Sequence, residues 1–195
     1  MYCDTGALYR AIGLYCSRKD IDLKDSPAIS ARLPEISLNI RPVDGAQHIF
    51  LNGEDVSEEI RLPEISMAAS AVSAVPEVRA ALLDIQRDMA RSGSVIMDGR
   101  DIGTVVLPDA DVKIFLTAKP EIRAKRRYDE LVKKGVETAF EEVLADLIKR
   151  DYDDSHRAAA PLRQAQDAVL ADTSELDFES SVDLICGIIE SALKK

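Results

Sequence analysis

A chain of 195 residues, 46% of them hydrophobic, can bury one well-formed core and is too short for two full domains, so it reads as a single unit. Its 35 acidic residues outnumber 25 basic ones, and a formal net charge of -10 disfavours non-specific binding to nucleic acid or to an anionic membrane. Three widely spaced cysteines, Cys3, Cys16 and Cys186, without a CxxC or a nearby histidine set, argue against a disulfide framework or a zinc site. The apolar runs fall short of a membrane span and MYCDTGALYR lacks a secretory profile, so the expectation is a soluble, cytoplasmic protein.

In DTGALYRAIGLYCSRKD, Asp4 and Thr5 are candidate caps and Leu8, Ile12 and Tyr15 recur at helical spacing, which predicts a helix over about residues 5–18. SLNIRPVDGAQHIFLNGEDV alternates on either side of Asp44-Gly45 and predicts a small antiparallel hairpin. LPEISMAASAVSAV and PEVRAALLDIQRDMARSG predict two helices, the second opened by Pro76 and stopped by Gly93.

SVIMD then reads as a short buried strand, and DVKIFLTA reads as a further strand. PEIRAKRRYDELVKKG is a helix between Pro120 and Gly135, and AFEEVLADLIKRDYDDSHR is a further helix. DAVLADTS is the last strand, and FESSVDLICGIIESALKK closes the chain as an amphipathic helix with Leu184, Ile188, Ile189 and Leu193 on its apolar side. Strand and helix alternate through the second half. That predicts an α/β fold, a parallel sheet with helices on both faces, whose ligands bind at the carboxyl ends of the strands.

Asp98-Gly99-Arg100-Asp101 follows SVIM directly, at such a carboxyl end. Gly99 lets the backbone turn sharply, Arg100 offers a planar fork for phosphate, and Asp101 offers an acceptor for an amino group. A solvated polar turn is the alternative. RAKRR sends Arg123 and Arg127 from one helix face, either to grip a phosphate or to pair with Glu121 and Asp129.

Arg150, Asp154 and Arg157 line one side if their helix continues, as a phosphate-and-hydroxyl clamp or as an intrahelical ion-pair ladder. Thr5 and Arg10 sit where the first helix meets an anion at its amino-terminal end, unless Thr5 is a plain cap. His48 and His156 are far apart and lack a nucleophile at a supporting spacing.

Together DTGALYR, NGEDVSEEIR, AASAVSAVPEVRAALL, DGRDIGTVVLPDADVKIFLTA, RAKRR and KRDYDDSHRAAAPL resemble, in order and spacing, the bacterial cytidylate kinases. These belong to the nucleoside monophosphate kinases, a branch of the P-loop NTPases, and pass the γ-phosphate of ATP to CMP or dCMP in pyrimidine nucleotide metabolism. The resemblance implies that Ser70, Arg79 and Asp101 read the cytosine edge. It implies that Arg10, Arg100 and Arg157 hold the monophosphate with Thr5 nearby, and that Arg150 and Asp154 reach the sugar hydroxyls or the transferring phosphate. Asp98 would lie near the Mg²⁺-phosphate region, and Arg123 and Arg127 would face ATP. It also implies an NMP-binding insert over about residues 20–75, a helical lid over about 123–160, small nucleotides as the partners, and a monomer.

The family opens with a strand and a GxxxxGK phosphate loop, and these 195 residues contain no such run. Met1 falls where the family enters its second strand. The expectation is therefore an amino-terminally truncated kinase of low stability and little turnover, whose first strand and P-loop are absent. The alternatives are a non-catalytic CMP-binding remnant, or an interaction protein without a nucleotide site.

Overall fold

The computed structural model describes residues 1–44 and 46–194. The chain divides into two compact units: residues 1–102 with 157–160 form the first, and the remaining described residues from Gly103 onwards form the second.

In the first unit, a short strand β1 (Tyr2–Asp4) runs straight into helix α1 (Thr5–Arg18), with the bounds the apolar spacing predicts. Asp4 caps the helix by accepting from the Ala7 N–H at 3.2 Å. Nine of its 14 residues are buried, because α1 is covered on two sides. Ala7, Ala11, Leu14 and Tyr15 pack with Ile49, Leu51, Val56, Ile60 and Ile65. Leu8, Ile12 and Cys16 pack with Ile29, Val72, Val75, Val78 and Leu82. Gly13 allows the close crossing of α1 with helix α3 (Pro63–Ser73), since a Cβ there would stand 2.9 Å from the Ala68 Cβ.

A short helix α2 (Ser26–Arg32) precedes the predicted hairpin, in which β2 (Leu38–Val43) and β3 (Ala46–Leu51) pair antiparallel from Leu38↔Leu51 to Val43↔Ala46. Asp44 holds a left-handed φ of 50° at the turn, and Gly45 lies outside the described residues. A two-residue strand β4 (Glu54–Asp55) adds to β3. Arg18 at the end of α1 grips Glu54 through two bonds of 2.7 and 2.8 Å and also meets Glu59. Gln47 of β3 clasps both main-chain groups of Asp4, accepting from its N–H at 2.8 Å and donating to its carbonyl at 3.2 Å. Helix α4 (Pro76–Arg91) then leads to β5 (Ile96–Asp98), which pairs parallel with β1.

The second unit contains β6 (Ile114–Thr117), α5 (Pro120–Lys133), α6 (Phe140–His156), β7 (Val169–Asp172) and α7 (Phe178–Leu193). β6 and β7 pair parallel, from Ile114↔Val169 to Thr117↔Asp172. Ala124, Leu131 and Val143 join α5 to α6, with Tyr128 set edge-on to Phe140 at 6.1 Å. Arg126 ties α5 to the end of β7 by donating to the Thr173 carbonyl at 2.7 Å and the Leu176 carbonyl at 3.0 Å.

Two expectations change. Among the described residues the parallel strands form two two-stranded sheets, where one continuous sheet covered on both faces was expected. The strand SVIMD was expected to be buried, yet Ile96 is 66% exposed, and among the described residues β5 pairs with β1 alone. The mixed α/β class stands, with parallel strands and many helices. Among the described residues, no single helix is long and apolar enough to cross a membrane.

Candidate functional site

The parallel register of β1 with β5 sets Asp4 beside Asp98 where both strands end, the place at which open α/β structures gather ligands. Thr5, the first residue of α1, is not the cap; its hydroxyl donates to the Asp98 carbonyl at 2.7 Å and fastens the helix start to the end of β5. The second carboxylate oxygen of Asp4 takes the Arg10 guanidinium. A carboxylate thus already occupies the first turn of α1, where an anion was expected. Among the described residues the buried Nε of Arg10 has no hydrogen-bond partner.

Asp98 accepts from the Tyr2 hydroxyl at 3.0 Å. Lost hydration, and then the charge of Asp4, push its carboxyl above the ordinary range, while Tyr2, Arg100 and Arg10 pull the other way. Arg100 itself is exposed at the same turn. Because the native state holds the Asp98 proton more tightly than the unfolded chain does, stability falls as pH rises from the ordinary aspartate value of about 3.9 through the raised native one. Asp98→Asn is expected to flatten that fall and to raise stability at neutral pH. Urea unfolding across about pH 4 to 7 reads the effect, and a variant curve parallel to the original would contradict it.

Three candidates meet directly. Asp101 is 6% exposed at its side chain and lies between the Arg79 guanidinium, to which it is hydrogen-bonded, and that of Arg157, 3.8 Å away. Arg157 was expected to line one side with Arg150 and Asp154 if the helix continued. Instead α6 ends at His156, and Arg157 turns to Asp101, donating through Nε to the Ala160 carbonyl at 2.9 Å. Arg79 also stands over the Tyr9 ring at 5.5 Å. Ser70 lies half-buried on α3, and its carbonyl accepts from the Ser73 hydroxyl at 2.8 Å.

The other four candidates sit in the second unit. Arg123 pairs with Asp151 of α6 through two bonds, at 2.6 and 3.1 Å, and not with Glu121 or Asp129. Arg127 pairs with Glu130 at 3.0 Å, so the two arginines face different carboxylates. The Nε of Arg150 lies 3.9 Å from Asp154, whose side chain is 5% exposed. His48 and Ser57 both hold Asp55, at 2.6 and 2.5 Å, which leaves the serine bound to the acid and makes no Ser/His/Asp relay.

Sequence reasoning missed Tyr9, Ser73 and Gln86. Gln86 is 2% exposed and hydrogen-bonded to the Tyr9 hydroxyl, at a position that continues the buried series Val78, Leu82 on α4. A polar residue at a core spacing was the available signal. Nothing in the sequence marked Ser73.

Parallel βα elements, an antiparallel three-stranded sheet and flanking helices are consistent with the nucleoside monophosphate kinase class of α/β protein. More closely, the chain belongs to the cytidylate kinase family, whose sequence model matches residues 1–191. It is 46% identical to the cytidylate kinase of Ligilactobacillus salivarius (strain UCC118) over 97% of this chain and 85% of that protein. It is 45% identical to that of Pelotomaculum thermopropionicum over 100% of this chain and 87% of the relative. With the cytidylate kinase of Carboxydothermus hydrogenoformans it shares 47% identity over 96% of this chain and 85% of that protein.

Proposed function

We propose that this chain binds CMP and dCMP at the end of β5 and serves the transfer of the γ-phosphate of ATP to them, giving CDP or dCDP and ADP. The buried Arg79–Asp101–Arg157 group carries this reading. A fixed carboxylate acceptor flanked by guanidinium forks suits a ligand with an amino edge at one end and a phosphate at the other. Ser70, Arg79 and Asp101 then read cytosine, and Arg10, Arg100 and Arg157 hold the monophosphate beside Thr5. Arg150 and Asp154 serve the sugar or the moving phosphate, and Arg123 and Arg127 serve ATP.

Several of these arginines must exchange partners to do so. Arg10 leaves Asp4 and Arg123 leaves Asp151, and such partly exposed pairs are weak enough to be replaced by a phosphate. Phosphoryl transfer needs alignment and positive charge around the moving group more than covalent help, so a set of arginines suits it. ATP would bring Mg²⁺, which keeps most of its waters and asks for one or two carboxylates besides the phosphates. Asp98 with Asp4 meets that demand, although among the described residues no cluster of three metal-ligating side chains forms. Residues of about 20–75 act as the NMP-binding insert and about 123–160 as the lid, in a cytoplasmic monomer.

A second reading of the same group is CMP binding with little or no transfer. Calorimetric titration is expected to show tighter binding of CMP and dCMP than of UMP or AMP. Equal affinities would remove the cytosine assignment. An ADP-release assay beside a version extended by a phosphate-loop segment separates the two readings, since gain of turnover in the extended chain alone favours the kinase.

A further inference from the structure

Helix α3 ends among the candidate residues, and its last four carbonyls have to be satisfied without further helix. Those of Ala71 and Val72 accept from the main-chain N–H of Ala74, and that of Val72 also accepts from Val75. The other two engage the site through one residue. The Ser73 hydroxyl donates to the Ser70 carbonyl at 2.8 Å and accepts from the Arg157 Nη1 at 3.3 Å. The Ser73 carbonyl accepts from the Arg79 Nη1 at 3.2 Å. Ser73 is 8% exposed, and its donor role and an acceptor role are both in use.

We infer that Ser73 is a positioning residue that sets the two arginines on either side of Asp101. The negative end of the α3 dipole faces both guanidinium groups and favours them there. The carbonyl holds Arg79, and the hydroxyl, itself oriented by Ser70, holds Arg157. The labour divides by atom: the main chain supports the arm assigned to the base, and the side chain supports the arm assigned to the phosphate. The inference rests on the proposed CMP site and adds a residue that has no direct part in binding.

That division makes a selective test. Ser73→Ala removes the hydroxyl and leaves the carbonyl, so CMP affinity is expected to fall about tenfold, the scale of one hydrogen bond to a charged group. The CMP-to-UMP ratio should hold, since Arg79 keeps its carbonyl, while the CMP-to-cytidine ratio should shrink, since only the phosphate arm is loosened. Ser73→Thr, which restores a hydroxyl, should recover most of the loss. In an Arg157→Ala background Ser73→Ala should add nothing, because their coupling is already gone.

Titrations of the full chain with CMP, UMP and cytidine, with thermal melting to confirm folding, read all of this. Equal weakening of CMP and cytidine, or no weakening of CMP, in Ser73→Ala would overturn the inference while leaving the CMP site standing. An unaltered chain that does not prefer CMP would overturn the functional reading and this inference with it.

Discussion

Asp101→Asn is expected to weaken CMP binding roughly ten- to hundredfold and to abolish the preference for CMP over UMP. On the proposed reading Asp101 accepts from the exocyclic amine of cytosine, and hydrogen bonds to a charged partner contribute about 1.5–3 kcal/mol. Uracil presents a carbonyl at the same place, so a carboxylate repels it while an asparagine amide can turn to donate. The substitution acts on the fold as well. Asp101 lies between Arg79 and Arg157, whose side chains are only 10% and 7% exposed, and a neutral amide leaves two guanidinium charges buried with less compensation. Breaking a buried ion pair from one side costs about 3–5 kcal/mol, and the retained amide oxygen offsets part of that. Calorimetry with CMP and UMP, beside thermal melting, measures both effects. A CMP-to-UMP ratio unchanged from the unaltered chain would remove Asp101 from base reading.

Local signals carried the helices well and the contacts poorly. Prolines at helix starts and apolar residues at helical spacing place α1, α4 and α5 within a residue or two, because these cues act inside one turn of chain. The exposure of β5 was not legible. An apolar run reads as a buried strand, and whether it is buried depends on which strands lie on each side, a non-local fact.

The same limit applies to the arginines. Arg123 has acids at local spacing but takes Asp151, and Arg157 takes Asp101, because tertiary packing brings nearer or better-aimed carboxylates than the helix does. The spacing of Arg150, Asp154 and Arg157 implied a common face only while the helix lasted, and the first proline beyond it is Pro161. Ser73 is one small residue in an alanine-rich helix, where its part depends wholly on what lies past the helix end. The DGRD turn, by contrast, was legible as chemistry, and Asp101, its last residue, is the one most deeply enclosed.

Gly99→Ala is expected to lower stability by about 2–4 kcal/mol and to weaken CMP binding with it. The reason is room, since Gly99 is not among the residues with a left-handed φ. A Cβ there would fall 2.4 Å from the Thr5 Oγ1 and 2.9 Å from two side-chain carbons of Ile102. Thr5 cannot yield freely, because it opens α1 and its hydroxyl is bound to the Asp98 carbonyl at 2.7 Å. Overpacking of this kind costs about 1–3 kcal/mol, and loss of the Thr5 hydrogen bond adds roughly 1. For a domain of this size the sum lowers the melting temperature on the order of 5–15 °C. Movement of the turn would also carry Arg100 and Asp101 away from the places where they are proposed to meet phosphate and base. Thr5→Ala alone should be milder, since it deletes one hydrogen bond and crowds nothing. In the double variant Gly99→Ala/Thr5→Ala the new methyl enters space the hydroxyl has left, so the loss should be smaller than the sum of the two single losses. Strict additivity in the melting data would mean that the contact between Gly99 and Thr5 is not what requires glycine there.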